Sequence, residues 1–278
     1  MASPDFLCIG AQKAGTTWLD KMFKGHPDIW TPPVKELQFF NEFYNKAAYP
    51  WTQKHRESHA VNAIRYAVNE KQPNWEKIKL AMHIASENIG FDWYEKIFDY
   101  APEGVVKGEM TPEYSLLNEK HVKEISEKYP KLKIIFIMRD PVERALSGIR
   151  MRMKQQGFNA DSKQEDIDNF VIEAASNWDV IQRSNYSFIH KTWSDYFDSE
   201  SCLFLLSSDL RNNSKKALIK VGGFLGVDYN KFKFNPDEKV HVGMRFNISE
   251  NAILEVRKKQ EDNTEWMEEN SDLFKIGL

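Results

Sequence analysis

A short glycine loop near the start of the chain holds the residues best suited to chemistry. Residues 10–17 read GAQKAGTT and lie between the apolar run 6–9 and a segment whose apolar residues have helical spacing. A strand, a glycine loop and a helix in this order present backbone N–H groups and a helix N-terminus to an anion. Lys13 adds a positive charge inside the loop. The pattern predicts an anion-binding loop, with an ordinary glycine turn before a helix as the alternative.

The position of the lysine limits which anion this loop would bind. Phosphate loops of nucleoside triphosphatases follow the pattern G-x-x-x-x-G-K-[ST], in which the lysine after the second glycine reaches the β- and γ-phosphates. Here Thr16 occupies that position, and the lysine lies earlier, at Lys13. The charge is therefore placed for a shorter anion, such as a single 5′-phosphate with its leaving-group oxygen.

A second candidate for anion binding follows the clearest apolar run of the chain. Residues 133–138 read KIIFIM, which is typical of a buried strand, and Arg139-Asp140-Pro141 ends it. Pro141 suits the first turn of a helix. The guanidinium fork of Arg139 matches phosphate geometry, and Ser147, two helical turns further on, can approach the same side. Taken alone, the pattern also fits a salt bridge at the start of a helix.

The predicted helix after Pro141 carries several basic residues. A solvated helix face is the structure that such a strip most often has. The residues of the strip are Arg144, Arg150, Arg152 and Lys154.

Both loops need a scaffold that brings them to one edge. Short apolar strands alternate with helical segments along the chain, which predicts a parallel sheet covered by helices on both faces. Ligands bind at the carboxyl ends of the strands in such sheets, and both loops fall at strand ends. No linker or repeat divides the 278 residues. We therefore expect one α/β domain over residues 1–278, with a largely helical, aromatic-rich acceptor-side insertion at about 44–100.

The two loops together resemble the signatures of one family. Residues 12–18 (QKAGTTW) resemble the 5′-phosphosulfate loop of sulfotransferases that use 3′-phosphoadenosine 5′-phosphosulfate (PAPS), and residues 135–147 resemble the family's 3′-phosphate motif. The resemblance implies a P-loop-like fold, PAPS as co-substrate and adenosine 3′,5′-bisphosphate as product. It implies that Lys13 stabilises the leaving phosphate and that Arg139 and Ser147 bind the 3′-phosphate. The nucleotide-binding residues that it implies in the first loop are Gln12, Lys13, Ala14, Gly15, Thr16, Thr17 and Trp18.

The segment PVKELQFF, residues 33–40, extends the resemblance to the acceptor side. It is similar to the Lys-Glu-Pro-His-Phe-Phe segment of heparan sulfate sulfotransferases and their bacterial relatives. The glutamate is the proposed base of those enzymes, which implies that Glu36 takes the acceptor proton. Leu37 and Gln38 depart from the family's Pro-His, and this difference concerns the type of acceptor. The alternative is a surface glutamate beside Lys35.

Two further segments resemble the family's acceptor and lid regions. Residues 108–114 (GEMTPEY) imply acceptor-side positions for Glu109 and Thr111, with a buried structural acid as the alternative for Glu109. Met110 replaces a lysine that relatives use near anionic sugars, which argues against a heparan-like polyanionic acceptor. A later loop, residues 240–245, implies a lid over PAPS. Its candidates are Gly243, Met244 and Arg245 for the nucleotide and His241 for the acceptor.

Composition and motif spacing exclude several classes of protein. A net charge of −3 gives no global attraction to nucleic acid or to an anionic membrane. No apolar run approaches the roughly 18 residues of a membrane span. The seven histidines and two cysteines show no metal-binding spacing, so we expect no metal. The segment before the first predicted strand is too short for a signal peptide. We expect a cytoplasmic protein, unless a leader was trimmed or the chain was cut from a larger enzyme.

The expected reaction is transfer of a sulfuryl group from PAPS to a hydroxyl or amine by in-line displacement. The acceptor would be a small molecule, a carbohydrate or a carrier-bound group. Two alternatives stay open. A P-loop kinase acting on a small molecule is disfavoured because Thr16 stands where its lysine belongs. A nucleotide-binding module that has lost catalysis is disfavoured because Lys13 and Glu36 are present.

Overall fold

A computed structural model of the chain describes residues 2–233 and 246–274. Its described residues form five strands, β1 (Phe6–Gly10), β2 (Ile29–Trp30), β3 (Val106–Met110), β4 (Lys133–Met138) and β5 (Cys202–Leu206). The strands make one sheet in the order β2-β3-β1-β4-β5, and every neighbouring pair is parallel. Because the sheet is parallel, all strands end at the same edge, and the loops after β1 and β4 lie side by side there.

Helices flank this sheet, and the protein is a single α/β domain, as predicted. The helices of the described residues are α1 (Thr16–Lys24), α2 (Phe39–Asn45), α3 (Thr52–Val68), α4 (Trp75–Ile84), α5 (Phe91–Phe98), α6 (Glu119–Lys128), α7 (Pro141–Gln155), α8 (Gln164–Ala175), α9 (Trp178–Gln182), α10 (Tyr186–Ser194), α11 (Ser207–Asn212), α12 (Ser214–Leu225), α13 (Glu250–Lys259) and α14 (Glu261–Glu269). Short 3₁₀ turns occupy Pro112–Leu116, Ser199–Ser201, Tyr229–Lys231 and Ser271–Leu273.

Burial on both faces explains why the central strands read as uninterrupted apolar runs. Every residue of β1 is buried, and so is every residue of β4 except Lys133. Parallel strands covered by helices on both sides lack the polar alternation of half-exposed strands. A close approach fixes the register between β1 and β3, because a Cβ on Gly108 would lie only 2.2 Å from the carbonyl oxygen of Phe6.

A second apolar cluster lies outside the sheet, between α7, α8 and α13, and includes Ile149 and Val256. The basic strip of α7 lies beside it, and the prediction of a solvated face was wrong for Arg144. This arginine is 1% exposed and donates to the Ser184 hydroxyl and the Val180 carbonyl. It therefore connects α7 to α9 and the turn that follows α9.

Candidate active site

The loop after β1 is held by its own backbone and by β4. The Ala11 N–H donates to the Ile137 carbonyl at 2.8 Å, which fixes the loop to the neighbouring strand. Lys13 and Gly15 both have positive φ angles, 72° and 116°. In an anion-binding nest, residues of opposite handedness follow one another, so that their backbone N–H groups converge. The left-handed residues Lys13 and Gly15 flank Ala14, whose φ is not positive.

Helix α1 begins where this loop ends, and the first N–H groups of a helix have no acceptor within it. The N–H groups of Trp18 and Leu19 both donate to the Gly15 carbonyl, at 3.0 and 3.1 Å. The N–H groups of Thr16 and Thr17 come earlier and have no acceptor within the helix. They add to the partial positive charge of the helix N-terminus. The end of β1 therefore has the predicted order of strand, glycine loop and helix N-terminus.

Lys13 is the cation of this loop. Within the described part of the chain, no carboxylate lies within 4.0 Å of its ammonium, which donates to Met151 Sδ at 4.0 Å. Burial lowers the pKa of Lys13, the positive charge of Arg139 lowers it further, and the negative charge of Glu36 raises it. An anion bound in the loop would offset the first two effects.

Arg139 connects the loop after β4 to the loop after β1. Its Nη1 donates to the Lys13 carbonyl at 3.1 Å, and its Nη2 binds Glu143 Oε2 at 2.9 Å. The Tyr186 hydroxyl accepts from the Arg139 N–H at 3.2 Å and donates to the Arg139 carbonyl at 2.7 Å. These contacts hold the backbone and the guanidinium of Arg139 from two sides.

Helix α7 carries the other predicted 3′-phosphate residue. The Asp140 carboxylate accepts from the Glu143 N–H at 2.8 Å, and Pro141 occupies the first turn, as its sequence predicts. Ser147 follows on α7 and is partly exposed.

Glu36 lies in a segment with an unusual backbone. Its φ is 64°, in the left-handed region that non-glycine residues seldom adopt. Its Oε1 accepts from the Lys35 ammonium at 3.0 Å, and its side chain is 30% exposed. The charge of Glu36 affects the pKa of both Lys13 and Glu113, which places the three groups in one electrostatic environment.

Side chains from the end of β3 fix the backbone that follows Glu36. The consecutive N–H groups of residues 37–39 donate to Glu109 Oε2 at 3.3 Å, Thr111 Oγ1 at 3.4 Å and Tyr114 Oη at 3.0 Å. Three such bonds in a row over-determine the local conformation, which is how a strained φ persists in a folded protein.

The Glu109 carboxylate is fully occupied by protein donors. It accepts from the hydroxyls of Tyr94 at 3.0 Å, Tyr114 at 2.6 Å and Thr111 at 2.7 Å, in addition to the Leu37 N–H. Burial raises the pKa of Glu109 and outweighs these four hydrogen bonds. Glu109 is 1% exposed and Thr111 is fully buried. The two side chains lie beneath the Glu36 segment and hold it in place.

Helix α3 supports the same segment from another direction. Arg56 is fully buried, binds Glu42 Oε2 at 2.6 Å and donates to the Leu37 carbonyl at 3.4 Å. Its guanidinium also lies 5.3 Å from the centre of the Trp93 ring. Leu37 is therefore held through its N–H by Glu109 and through its carbonyl by Arg56.

A polar network connects the loop after β1 to the turn that follows β3. The sequence motifs did not predict it. Gln12 Nε2 donates to Glu113 Oε1 at 3.3 Å, and Arg183 Nη2 lies 2.9 Å from the same oxygen. Arg183 also lies 3.7 Å from Asp179 Oδ2, which pairs with Arg152. Burial raises the pKa of Glu113, and the charge of Arg183 lowers it. Glu113 belongs to the segment GEMTPEY, whereas Arg183 lies in no recognised motif.

An open cleft of about 410 Å³ borders this network. Glu113 and Arg183 form part of its wall, so the cleft lies close to the loop that carries Lys13. Its aromatic lining consists of Tyr44, Tyr49, Trp51 and Trp178, with the imidazole of His121 stacked on Tyr44.

Some predicted site residues lie outside the residues that the structure describes, namely His241, Gly243, Met244 and Arg245. Within residues 2–233 and 246–274, no group of three or more histidine, cysteine or acidic side chains could hold a metal ion. No helix in these ranges has the length and apolar character needed to cross a membrane.

The fold and the site define an α/β protein in which a glycine loop after β1 and an arginine after β4 meet at one edge of a parallel sheet, close to a cleft that Glu113 lines. A family model described as "Sulfotransferase family" matches residues 4–231. The chain belongs to the sulfotransferase family, and the predicted resemblance is confirmed.

Curated relatives include sulfotransferases of several kinds. The chain is 24% identical over 233 residues to heparan sulfate glucosamine 3-O-sulfotransferase 3A1 of Mus musculus, a match that covers 81% of this chain and 46% of the relative. It is 28% identical over 147 residues to the membrane-associated sulfotransferase kil1 of Dictyostelium discoideum, over 52% of this chain and 22% of the relative. The chain thus spans about half the length of the heparan sulfate enzymes that it matches, or less.

Solved structures share the fold over nearly the whole chain. A sulfotransferase from Alicyclobacillus acidocaldarius superposes with a TM-score of 0.57 at 21% identity, covering 95% of this chain and 97% of that one. The sulfotransferase domain of the Synechococcus PCC 7002 olefin synthase gives a TM-score of 0.58 at 17% identity, covering 96% and 95%.

Proposed function

We propose that this sulfotransferase moves a sulfuryl group from PAPS to a hydroxyl or amine by in-line displacement. The observation that carries the proposal is the 3.1 Å bond from Arg139 to the Lys13 carbonyl, which joins the two predicted phosphate-binding segments into one site. A nucleotide with phosphates at both its 5′ and 3′ positions matches two such segments.

The donor would bind along this edge of the sheet. The N–H groups of Thr16 and Thr17, at the start of α1, and the ammonium of Lys13 would hold the 5′-phosphosulfate. Arg139 and Ser147 would hold the 3′-phosphate, since charge-assisted bonds from a guanidinium to phosphate are among the stronger hydrogen bonds in proteins. Bound PAPS supplies the sulfuryl group, and the chain supplies orientation, charge and a base.

Lys13 is the residue that we propose stabilises the leaving group. As the bond from sulfur to the bridging oxygen breaks, negative charge grows on the oxygen that the 5′-phosphate keeps. A cation already placed in the loop stabilises that charge more in the transition state than in the ground state, which raises turnover. The absence of a carboxylate partner for Lys13 among the described residues supports this role.

Glu36 is the residue that we propose accepts the acceptor proton. As the acceptor oxygen or nitrogen forms its bond to sulfur, its proton passes to the Glu36 carboxylate. Adenosine 3′,5′-bisphosphate leaves with the electron pair of the broken bond. Glu109 and Thr111 are proposed as positioning residues, because they fix the backbone after Glu36 and are buried away from the cleft.

A pair of assays tests the proposal. Thermal unfolding with adenosine 3′,5′-bisphosphate, 5′-AMP or ATP plus Mg²⁺ identifies the nucleotide, and we expect stabilisation by the bisphosphate above the other two. A transfer screen with radiolabelled PAPS across sugars, aryl alcohols, aliphatic alcohols and carrier-bound acyl chains tests catalysis. Stabilisation by ATP plus Mg²⁺ alone would favour a kinase. Bisphosphate binding without transfer to any acceptor would favour an inactive nucleotide-binding module.

A further inference from the structure

The cleft beside Glu113 is connected to the nucleotide loop by a direct contact. Glu113 lines the cleft and accepts from Gln12, the residue before Lys13. The cleft has a volume of about 410 Å³, which is within the usual range for small-ligand sites. An acceptor bound in the cleft would therefore lie next to the loop that we propose holds the sulfuryl donor. From the lining of this cleft we infer that the acceptor is an uncharged sugar, an inference that rests on the proposed function and specifies its substrate class.

Aromatic side chains form part of the cleft wall. Trp51 and Trp178 line the cleft and remain 43% and 65% exposed. The rings of Tyr44 and Tyr49 also line it. Large exposed indoles on a cleft wall are surfaces on which a flat, apolar face can pack. Sugar rings have such faces, formed by their C–H groups.

Side-chain amides also line the cleft. Asn45 and Asn118 line the cleft, and each uses its oxygen to accept a backbone N–H, from Ala48 at 3.2 Å and from His121 at 3.0 Å. Their NH₂ groups are left as donors that can face hydroxyl oxygens. A lipid or a simple aryl alcohol would pack on the rings but would desolvate these amides without pairing them, which costs binding free energy. A sugar satisfies both the rings and the amides.

The charge of the cleft opposes an acidic sugar. Among the described lining residues the permanent cation is Arg183, and it is paired with Glu113 at 2.9 Å and with Asp179 at 3.7 Å. Burial lowers the pKa of His121, which favours its neutral form. Asp179 also pairs with Arg152, so the two carboxylates occupy both nearby guanidiniums. A uronate or sulfate group would therefore lose its water in this cleft without gaining an unpaired cation among the described lining residues, which costs binding free energy. An uncharged sugar carries no charge to desolvate and avoids this cost.

Tryptophan fluorescence and saturation-transfer NMR test the inference, with adenosine 3′,5′-bisphosphate present throughout. The probes are maltotriose, cellotriose and triacetylchitotriose as uncharged sugars, a heparosan tetrasaccharide as an acidic sugar, and 4-nitrophenol as an aryl alcohol. We expect an uncharged trisaccharide to bind more tightly than the acidic sugar. Trp178→Ala should weaken that binding by about 10-fold, through loss of the stacking surface. The matched control is Trp75→Ala, because Trp75 is also 65% exposed but lies at the start of α4, outside the cleft.

A second variant tests the charge argument. Asp179→Asn removes one of the two carboxylates and keeps the shape of the side chain, so it should tighten binding of the acidic tetrasaccharide severalfold and leave the uncharged sugar within about twofold. The inference is overturned if no uncharged sugar binds, if the acidic sugar or 4-nitrophenol binds more tightly, or if Trp178→Ala and Trp75→Ala behave alike. Each of these results leaves the proposed transferase intact as long as the bisphosphate binds. Failure of the bisphosphate to bind would overturn the proposed function itself.

Discussion

Arg139 donates to the carbonyl oxygen of Lys13 at 3.1 Å, across a separation of 126 residues in the chain. The bond joins the loop that carries the lysine to the strand end that carries the arginine. Because the acceptor is a backbone carbonyl, the guanidinium helps to set the left-handed conformation of Lys13 as well as the charge beside it. One side chain therefore joins the two segments that we propose bind the phosphates of the nucleotide.

Replacing Arg139 by alanine tests the donor side. We expect affinity for adenosine 3′,5′-bisphosphate to fall about 10- to 150-fold, because a charge-assisted hydrogen bond contributes roughly 1.5–3 kcal/mol. Affinity for 5′-AMP should fall much less, since this nucleotide has no 3′-phosphate. Isothermal titration calorimetry measures both. Glu143→Ala is the control, because it removes the exposed partner of Arg139 but keeps the guanidinium, and it should change affinity by less than about fivefold. Equal wild-type affinity for the two nucleotides would contradict the assignment.

Lys13→Ala tests the leaving group. Turnover should fall roughly 10²–10³-fold with every acceptor, because the residue acts on the oxygen that all reactions share. Steady-state kinetics with one phenolic and one aliphatic acceptor measures this loss. Lys154→Ala, at an exposed position on α7, is the matched control and should keep wild-type turnover. A loss confined to one acceptor would place Lys13 on the acceptor side instead.

Metal removal distinguishes sulfuryl from phosphoryl transfer. The positive charge proposed for the site comes from Lys13, Arg139 and the N-terminus of α1, so activity should survive an excess of EDTA. The measurement is the transfer rate before and after chelation. Complete loss that Mg²⁺ restores would support the kinase alternative.

The central sheet could be predicted from the sequence because its strands are buried on both faces. The runs 6–9 and 133–138 are strands in the structure, as predicted. Strand β2 escaped prediction because its two residues, Ile29 and Trp30, form no recognisable run. Local patterns thus predicted these two central strands but not the short edge strand.

The polar network around Glu113 could not be predicted in the same way. Its contacts join residues 101 positions apart, for Gln12 with Glu113, and 70 apart, for Arg183 with Glu113. No local spacing encodes such pairs, since they depend on how α9 and the turn after β3 meet. Arg144 illustrates the same limit, because only the folded chain shows that its partners are the Ser184 hydroxyl and the Val180 carbonyl.

Glu109→Gln tests the support beneath Glu36. The amide would place an NH₂ group against donors that now meet a carboxylate, so we expect the free energy of unfolding to fall by about 1–3 kcal/mol at neutral pH. Burial raises the pKa of Glu109 in the folded state. The carboxyl group of Glu109 therefore stabilises the folded protein fully at pH values below its pKa in the unfolded chain. This stabilisation is lost as the pH rises through the pKa that the group has in the folded protein.

The pH dependence of that variant gives a second result. Since glutamine does not titrate, the stability advantage of the wild type over Glu109→Gln should grow as the pH falls from neutral toward about 4.3, the ordinary value for glutamate. Urea unfolding of both proteins at several pH values measures the difference. An advantage that shrinks on acidification would mean that the pKa of Glu109 is lowered in the folded protein.

Glu36→Gln tests the base. Glutamine keeps the size and polarity of the side chain but cannot take a proton under these conditions, so turnover of an aliphatic alcohol should fall about 10²–10⁴-fold. Nucleotide affinity should hold, because the carboxylate of Glu36 is not among the groups proposed to bind the bisphosphate. The loss should shrink for an acidic phenol such as 4-nitrophenol, which arrives partly ionised and needs less help from a base.

Comparison with Glu57→Gln controls for the loss of a carboxylate in the same region, since Glu57 lies on α3 and accepts from Gln53 at 3.0 Å. This control should turn over both acceptors at the wild-type rate. If Glu36→Gln also transferred to the aliphatic alcohol at that rate, the base would have to be another group. Glu109 is a poor substitute because four protein donors occupy its carboxylate. Glu113 would then be the first residue to replace, because it lines the cleft and contacts the nucleotide loop through Gln12.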